Sequence, residues 1–351
     1  MNGEFDFIEK IREKAARGPA IIPDLRLGIG DDTAILSEES GRETLITVDL
    51  LVEEIDFRLE YAIPRWLGHK ALAVSLSDIA AMGGSPRFTL LTLGIPSRLI
   101  PHESDDGAGR FWEEFFDGYF ELAHRHGVTL IGGDISATPD RLTIDSILLG
   151  QCQAGRAIRR SRARVGEAIY LTGEIGSSAT GLRLLFAGQR ANPLPNHQPV
   201  DRLIQQAIRA QLAPDPRVEL GRRLGRSGLV GAMIDVSDGL AQDLGHLCEE
   251  SRVGAVIEAR QVPLSPCLEL LELESKERFG LAVSGGEDFE LLFTAAPEAE
   301  DQLRSLAGPE LRLSRIGTII APGQDAASAI TLIGDGPPRP LPTQGHNHFA
   351  T

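Results

Sequence analysis

Cysteine is nearly absent: Cys152, Cys248 and Cys267 are the only three, and no two of them form a CxxC pair. That excludes a disulfide framework and a cysteine zinc site, and leaves the three as small buried hydrophobes. Lysine is also scarce. There are four in 351 residues, none preceded by glycine, so the chain has no GxxxxGK[ST] phosphate loop. The His-Arg-Asp and Asp-Phe-Gly set of protein kinases and the GxSxG elbow of hydrolases are missing as well. Gly28-x-Gly30 lacks a third glycine and runs into Asp31 and Asp32, which would repel a dinucleotide pyrophosphate. No apolar run approaches the roughly 20 residues needed to cross a bilayer. The acidic N-terminus has no signal-peptide pattern. The expectation is a soluble cytoplasmic protein.

What is present is globular in composition, 42% hydrophobic and 24% charged, over a length that suits two domains. The formal charge of −15 argues against nonspecific binding to nucleic acid or anionic membranes. It leaves room for an anionic substrate, because bound cations invert the local potential.

The periodicity predicts a short amphipathic helix over residues 4–16, a strand Thr44–Val48 running into Asp49, and a helix opened by Pro64 and stopped by Gly83 and Gly84. A strand over Arg87–Ile95, an aromatic-rich helix over 109–126, a strand Val128–Ile131 leading into Gly132-Gly133-Asp134, and a strand Leu142–Gln151 follow. A basic stretch from Arg156 to Arg164 sets the expected domain boundary, giving residues 1–155 and 156–351. The second half reads as strand 168–172, helix 177–187, helices between 200 and 226, strand 230–234, helix 239–250, strands 254–259 and 288–294, helix 298–306 and strand 311–320. Residues 321–329 and 335–345 read as loops. With no regular βαβ period, the fold class expected is α+β. Ser77-Asp78 and Ser237-Asp238 form a faint echo between the halves.

Four acidic clusters are set in glycine: Gly28–Asp32, Gly132–Asp134, Asp235–Gly239 and Ser284–Asp288. Hard divalent cations take oxygen ligands, and bridging Mg²⁺ would turn the repulsion between carboxylates and ATP into attachment. Asp32, Asp49, Asp78, Asp134, Asp235 and Asp238 are the candidate convergent ligands, each at the end of an apolar run or in a glycine turn. Asp31 reads as a turn residue or one that supports the ligands from behind, because adjacent side chains rarely both reach one metal.

These strings, with Val48–Val52, Lys70–Gly83 and Ser284–Leu292, resemble the thiamine-monophosphate kinase family of the aminoimidazole-ribonucleotide-synthetase-like superfamily. The likeness runs in order along nearly the whole chain. It implies a two-domain fold with N-terminal strands forming a dimer-interface sheet or barrel and a C-terminal α/β domain. It implies ATP-dependent phosphorylation of thiamine monophosphate, several Mg²⁺ ions and a homodimer. By motif, Asp32, Thr47, Asp49, Asp78, Asp134, Asp235 and Asp238 match metal positions. Gly133, Asp134, Arg160 and Ser237 match nucleotide positions, with Arg160 and Asp238 the residues expected to act in catalysis. Glu287 matches a substrate position. Three departures stand out: Val48 where a hydroxyl residue is usual, Asp56 before Phe57 where histidine is usual, and His346 in place of an aromatic in the tail Gly345–Phe349. Asp56 and His346 fall on the acceptor pocket, where Asp56 is expected to face the thiazolium. Two alternatives stay open: a superfamily relative that uses ATP to activate another acceptor, and a non-catalytic ATP-binding regulator.

Overall fold

The computed structural model describes residues 24–38, 40–101, 106–192, 198–322, 330–334 and 336–341. The expected helix 4–16 and His346 lie outside them. The first half contains β1 (Leu25–Leu27), β2 (Ala34–Ser37), β3 (Arg42–Val52), α1 (Pro64–Ala81), β4 (Ser85–Pro96), α2 (Asp106–His126), β5 (Thr129–Thr138) and β6 (Thr143–Gln153). Its strands form a six-stranded sheet in the order β1-β2-β3-β6-β4-β5. The β4–β5 pair is parallel and the others are antiparallel.

The second half contains β7 (Ala168–Thr172), α3 (Ser177–Phe186), α4 (Pro199–Leu212), α5 (Val218–Ser227), β8 (Val230–Asp235), α6 (Leu240–Ser251), β9 (Gly254–Glu258), α7 (Ser275–Ser284), β10 (Leu291–Ala295), α8 (Glu300–Ala307), β11 (Leu313–Ile320), β12 (Ile330–Ile333) and β13 (Arg339–Pro340). These strands form a seven-stranded sheet in the order β13-β12-β9-β11-β7-β10-β8, antiparallel except for β9 with β12. Two mixed sheets dressed with helices are the α+β architecture the irregular alternation of elements predicts.

Helix α1 is the pivot. Pro64 suits its first turn, where a missing N–H costs nothing. Every residue from Leu67 to Ser77 is buried, as befits a helix apolar on all sides rather than on one stripe. One core joins Leu72, Leu76 and Ile79 of α1 to Leu45 and Leu148 of the first sheet, Phe115 and Tyr119 of α2, and Leu224, Tyr170 and Phe293 of the second half. A second core, with Ile169, Leu171, Ile234, Leu244 and Ile257, fills the other face of the second sheet. The alternation Ile169–Tyr170–Leu171 therefore feeds two cores from one central strand, which is why β7 is buried throughout.

The local structure departs from the sequence reading at the motifs. Asp49 is not at a strand end, since β3 continues to Val52. Gly132-Gly133-Asp134 is not a turn but the middle of β5, the edge strand, exposed along nearly all its length. A Cβ on Gly133 would sit 1.9 Å from the Leu91 carbonyl oxygen, so the glycine serves close strand approach here. The strand expected from 288 begins at Leu291, because the preceding acidic residues face other groups. Helix α7 and strands β1, β2, β12 and β13 were not foreseen; all but α7 are no more than four residues long, too short to print a period.

Candidate active site

The carboxylates of Asp32, Asp78 and Asp235 converge, with one oxygen from each lying within 4.8 Å of the others. Three segments deliver them: the turn between β1 and β2, the C-terminal half of α1, and the end of β8. Neighbouring residues on α1 tie the arrangement together. Ser77 Oγ donates to Asp235 Oδ2 at 2.6 Å, while Asp78 accepts from the Thr47 hydroxyl on β3. The Ser77-Asp78 pair thus links the first sheet to the second through one turn of helix. Asp49 lies two residues beyond Thr47, on the same face of β3.

So many buried like charges strain the ionised state. Burial pushes the Asp235 carboxyl up to about 7, reinforced by Asp32. Burial, with Asp145 and Asp32, pushes Asp49 up to about 6. Burial and then Asp32 push Asp31 up to about 7. Asp78 is raised well above the usual range by burial, then by Asp49, Asp235 and Asp32. The positive charge facing them is Arg160, whose guanidinium pairs with Asp32 and lies 3.8 Å from Asp31. Its backbone N–H also donates to Asp31 Oδ2 at 3.2 Å. Asp31, read from the sequence as a turn residue or one that supports the ligands from behind, anchors that arginine.

A cation is a reasonable answer to this arrangement. Asp32 Oδ2 and Asp49 Oδ2 are buried oxygens with no hydrogen-bond donor, and an unpartnered buried carboxylate oxygen is costly. An all-oxygen set suits Mg²⁺ and not a soft metal.

Other predicted residues lie around this group. Ser237 and Asp238 sit in the loop between β8 and α6, where Gln242 Nε2 donates to Asp238 Oδ2 at 2.9 Å. Gly133 and Asp134 stand on the exposed edge strand, outside the three-carboxylate group. Asp134 is in register, through Thr92, with Asp145. Asp56 accepts from the Val52 N–H at 2.7 Å and closes the turn after β3. Val48 is 58% exposed and points to the outer face of the sheet, opposite to Thr47.

The Ser284–Asp288 cluster divides. Glu287 has a positive φ of 65° and pairs with the buried Lys70 of α1 at 2.7 Å. Its other oxygen accepts from Gln211, and Lys70 also donates to the Gln211 carbonyl at 3.2 Å. Asp288 instead takes the N–H groups of Gly176 and Ser178 at 2.7 and 3.1 Å, at the start of α3. The cluster packs directly on the Ser237 loop: Glu287 N donates to the Ser237 carbonyl at 2.7 Å. A Cβ on Gly286 would stand 2.4 Å from that carbonyl oxygen.

Residues the sequence reading missed are Lys70, Ser77, Asp145, Gln211 and Asp243. Lys70 and Asp145 carried a signal, a charged side chain inside an apolar run, and Ser77 stood in the echoed Ser-Asp pair; Gln211 and Asp243 carried none. A cavity of about 910 Å³ lies elsewhere, beside Arg260, Arg304 and Arg315. The carboxylate convergence marks the site.

Family models place the chain further. "AIR synthase related protein, N-terminal domain" matches residues 30–152, and "AIR synthase related protein, C-terminal domain" matches residues 164–329. Thiamine-monophosphate kinase of Bacillus subtilis (strain 168) is 36% identical over 347 residues, 99% of each chain. The chain belongs to the thiamine-monophosphate kinase family. A crystal structure of that kinase from Stenotrophomonas maltophilia K279a is 36% identical and superposes with a TM-score of 0.72 over 95% of this chain and 96% of that one. AaThiL complexed with AMPPCP and TMP superposes with a TM-score of 0.78 at 29% identity, over 99% of this chain and 97% of that one.

Proposed function

We propose that this chain transfers the γ-phosphoryl group of ATP to the phosphate of thiamine monophosphate, giving ADP and thiamine diphosphate. An acceptor oxygen attacks the γ-phosphorus in line, and the bond from phosphorus to the bridging oxygen of ADP breaks. The observation that carries this reading is the buried convergence of Asp32, Asp78 and Asp235 in a chain matched end to end by thiamine-monophosphate kinases.

The attacking group is a phosphate monoester with a second pKa near 6, so it is already anionic near neutral pH. No general base is needed, and the chain has only to position and neutralise. Asp32, Thr47, Asp49, Asp78, Asp134, Asp235 and Asp238 would hold Mg²⁺, which when bound neutralises the phosphate oxygens and orients them. Gly133, Asp134, Arg160 and Ser237 face the nucleotide. Arg160, braced by Asp31 and Asp32, supplies a fixed positive charge where charge builds up on the transferring group. Asp56, Glu287 and His346 belong to the acceptor side.

The division into residues 1–155 and 156–351, a cytoplasmic setting and a homodimer complete the reading. The dimer is supported by the outer face of the first sheet. Val48 and Leu50 are each 58% exposed, and Ile131 and Ile135 are 56% and 67% exposed on the unpaired edge strand. A solvated antiparallel sheet is polar on its outer face, and an edge strand left open invites pairing. No described helix is long and apolar enough to cross a membrane.

The test is incubation of the purified protein with Mg-ATP and thiamine monophosphate, following thiamine diphosphate and free phosphate. Stoichiometric ADP and thiamine diphosphate without phosphate release is expected. Phosphate release in step with ADP, and no thiamine diphosphate, would point to a synthetase-like relative and reject the reading.

A further inference from the structure

The loop that carries Ser237 and Asp238 is wound around a carboxylate with no part in the reading so far. Asp243, in the first turn of α6 and 2% exposed, accepts three consecutive backbone N–H groups on one oxygen. Oδ2 lies 3.1 Å from Ser237 N, 3.2 Å from Asp238 N and 3.0 Å from Gly239 N. Successive amides at a helix N-terminus form the kind of nest that elsewhere receives a phosphate. In this chain the nest is filled by the protein's own side-chain oxygen.

The carbonyls of the loop are also engaged. The Ser237 carbonyl accepts from Glu287 N at 2.7 Å, and the Gly239 carbonyl accepts from Gln242 N and Asp243 N, both at 3.0 Å. Neither the amide nor the carbonyl of Ser237 is left for a nucleotide, so its hydroxyl is the group that can turn to one. The Asp238 carboxylate is steered by Gln242, one residue before Asp243 on the same helix. Three amides satisfied on one buried oxygen fix the backbone of the loop, and an acceptor oxygen at that reach is what they require.

We propose that Asp243 is a positioning residue: its carboxylate occupies the phosphate-like nest of the Ser237–Gly239 loop and so aims the side chains of Ser237 and Asp238 at the metal–nucleotide site. The proposal rests on the assignment of Ser237 and Asp238 to that site.

The test uses the full-length protein with Asp243→Asn, Asp243→Ser and Asp243→Ala. The first readout is Mn²⁺ affinity by titration with electron paramagnetic resonance, without acceptor. The second is KM for Mg-ATP against kcat. Asp243→Asn retains an acceptor oxygen at the same reach and is expected to bind Mn²⁺ like the parent. Asp243→Ala is expected to lose about 10–100-fold in Mn²⁺ affinity, the usual effect of removing a group that orients a ligand, and to raise KM for Mg-ATP more than it lowers kcat. A folded Asp243→Ala protein with parental Mn²⁺ affinity and KM overturns the proposal. If the alanine variant does not fold, Asp243→Ser, whose shorter side chain cannot span the three amides, carries the test on the same terms. Because Mn²⁺ binding is read without acceptor, failure of this proposal is separable from failure of the kinase reading. The latter would appear as a parent protein that binds Mn²⁺ but makes no thiamine diphosphate.

Discussion

The ammonium of Lys70 lies 2.7 Å from Glu287 Oε1 and is 2% exposed. A helix of the first half thereby holds a loop of the second, at a residue whose positive φ of 65° is costly for a side chain larger than glycine. Lys70→Met should cost about 3 kcal/mol, the low end for breaking a buried pair because Glu287 retains some solvent access. Adding Glu287→Met should recover most of that loss without restoring affinity for thiamine monophosphate. Chemical denaturation and KM for the acceptor check the two parts separately.

Asp78 sits among like charges at a cost to the fold. Asp78→Asn should therefore raise the melting temperature in chelator by roughly 2–4 °C, equivalent to about 1 kcal/mol for a domain of this size. The same change should lower turnover about 100-fold, since the Thr47 hydroxyl would then orient an amide rather than a charged ligand. A variant with near-parental activity would remove Asp78 from the metal site.

His246 gives a pH dependence of known sign. Burial, then Arg160, lowers its pKa from 6.5 to about 4. The unfolded chain takes up a proton on acidification below 6.5 and the folded chain does not, so stability is lost as pH falls from 6.5 towards 4. His246→Gln cannot show this loss. The gap in melting temperature between variant and parent should narrow from pH 7.5 to pH 5. A gap that stays constant would contradict the burial argument.

Val48 tests the outer sheet face. Val48→Glu places a charge on the apolar surface proposed to meet a second copy, and the variant should run as a monomer in light scattering behind gel filtration. Its melting temperature at low protein concentration should match that of the parent, because the side chain is exposed within one chain. An unchanged dimer would move the interface elsewhere.

Most long elements were legible in the sequence because they are long runs bounded by proline, glycine or polar breaks: α1, α2, β4 and β6 all fall within a few residues of their predicted bounds. The clusters were legible as chemistry but not as geometry. Gly133 reads as a turn glycine, yet it serves the close approach of β5 to β4, and nothing in the order of residues separates those two uses. The convergence of Asp32, Asp78 and Asp235 was foreseen from their settings in glycine and apolar runs. Ser77, which holds Asp235, and Asp243 and Gln242, which hold the Ser237–Gly239 loop, were not. An aspartate in the first turn of a helix reads as capping, and only the fold reveals which backbone it caps.

The join made by Ser77 and Asp235 spans 158 residues of chain. At about 5–20 residues per second of synthesis, Asp235 leaves the ribosome roughly 8–30 s after Asp78. Through that interval the growing chain holds an unfinished set of carboxylates, and no cation can yet reward the docking of α1. On the proposed function, ion binding can therefore act only once β8 has been made, as a check that the second half has begun to dock on α1.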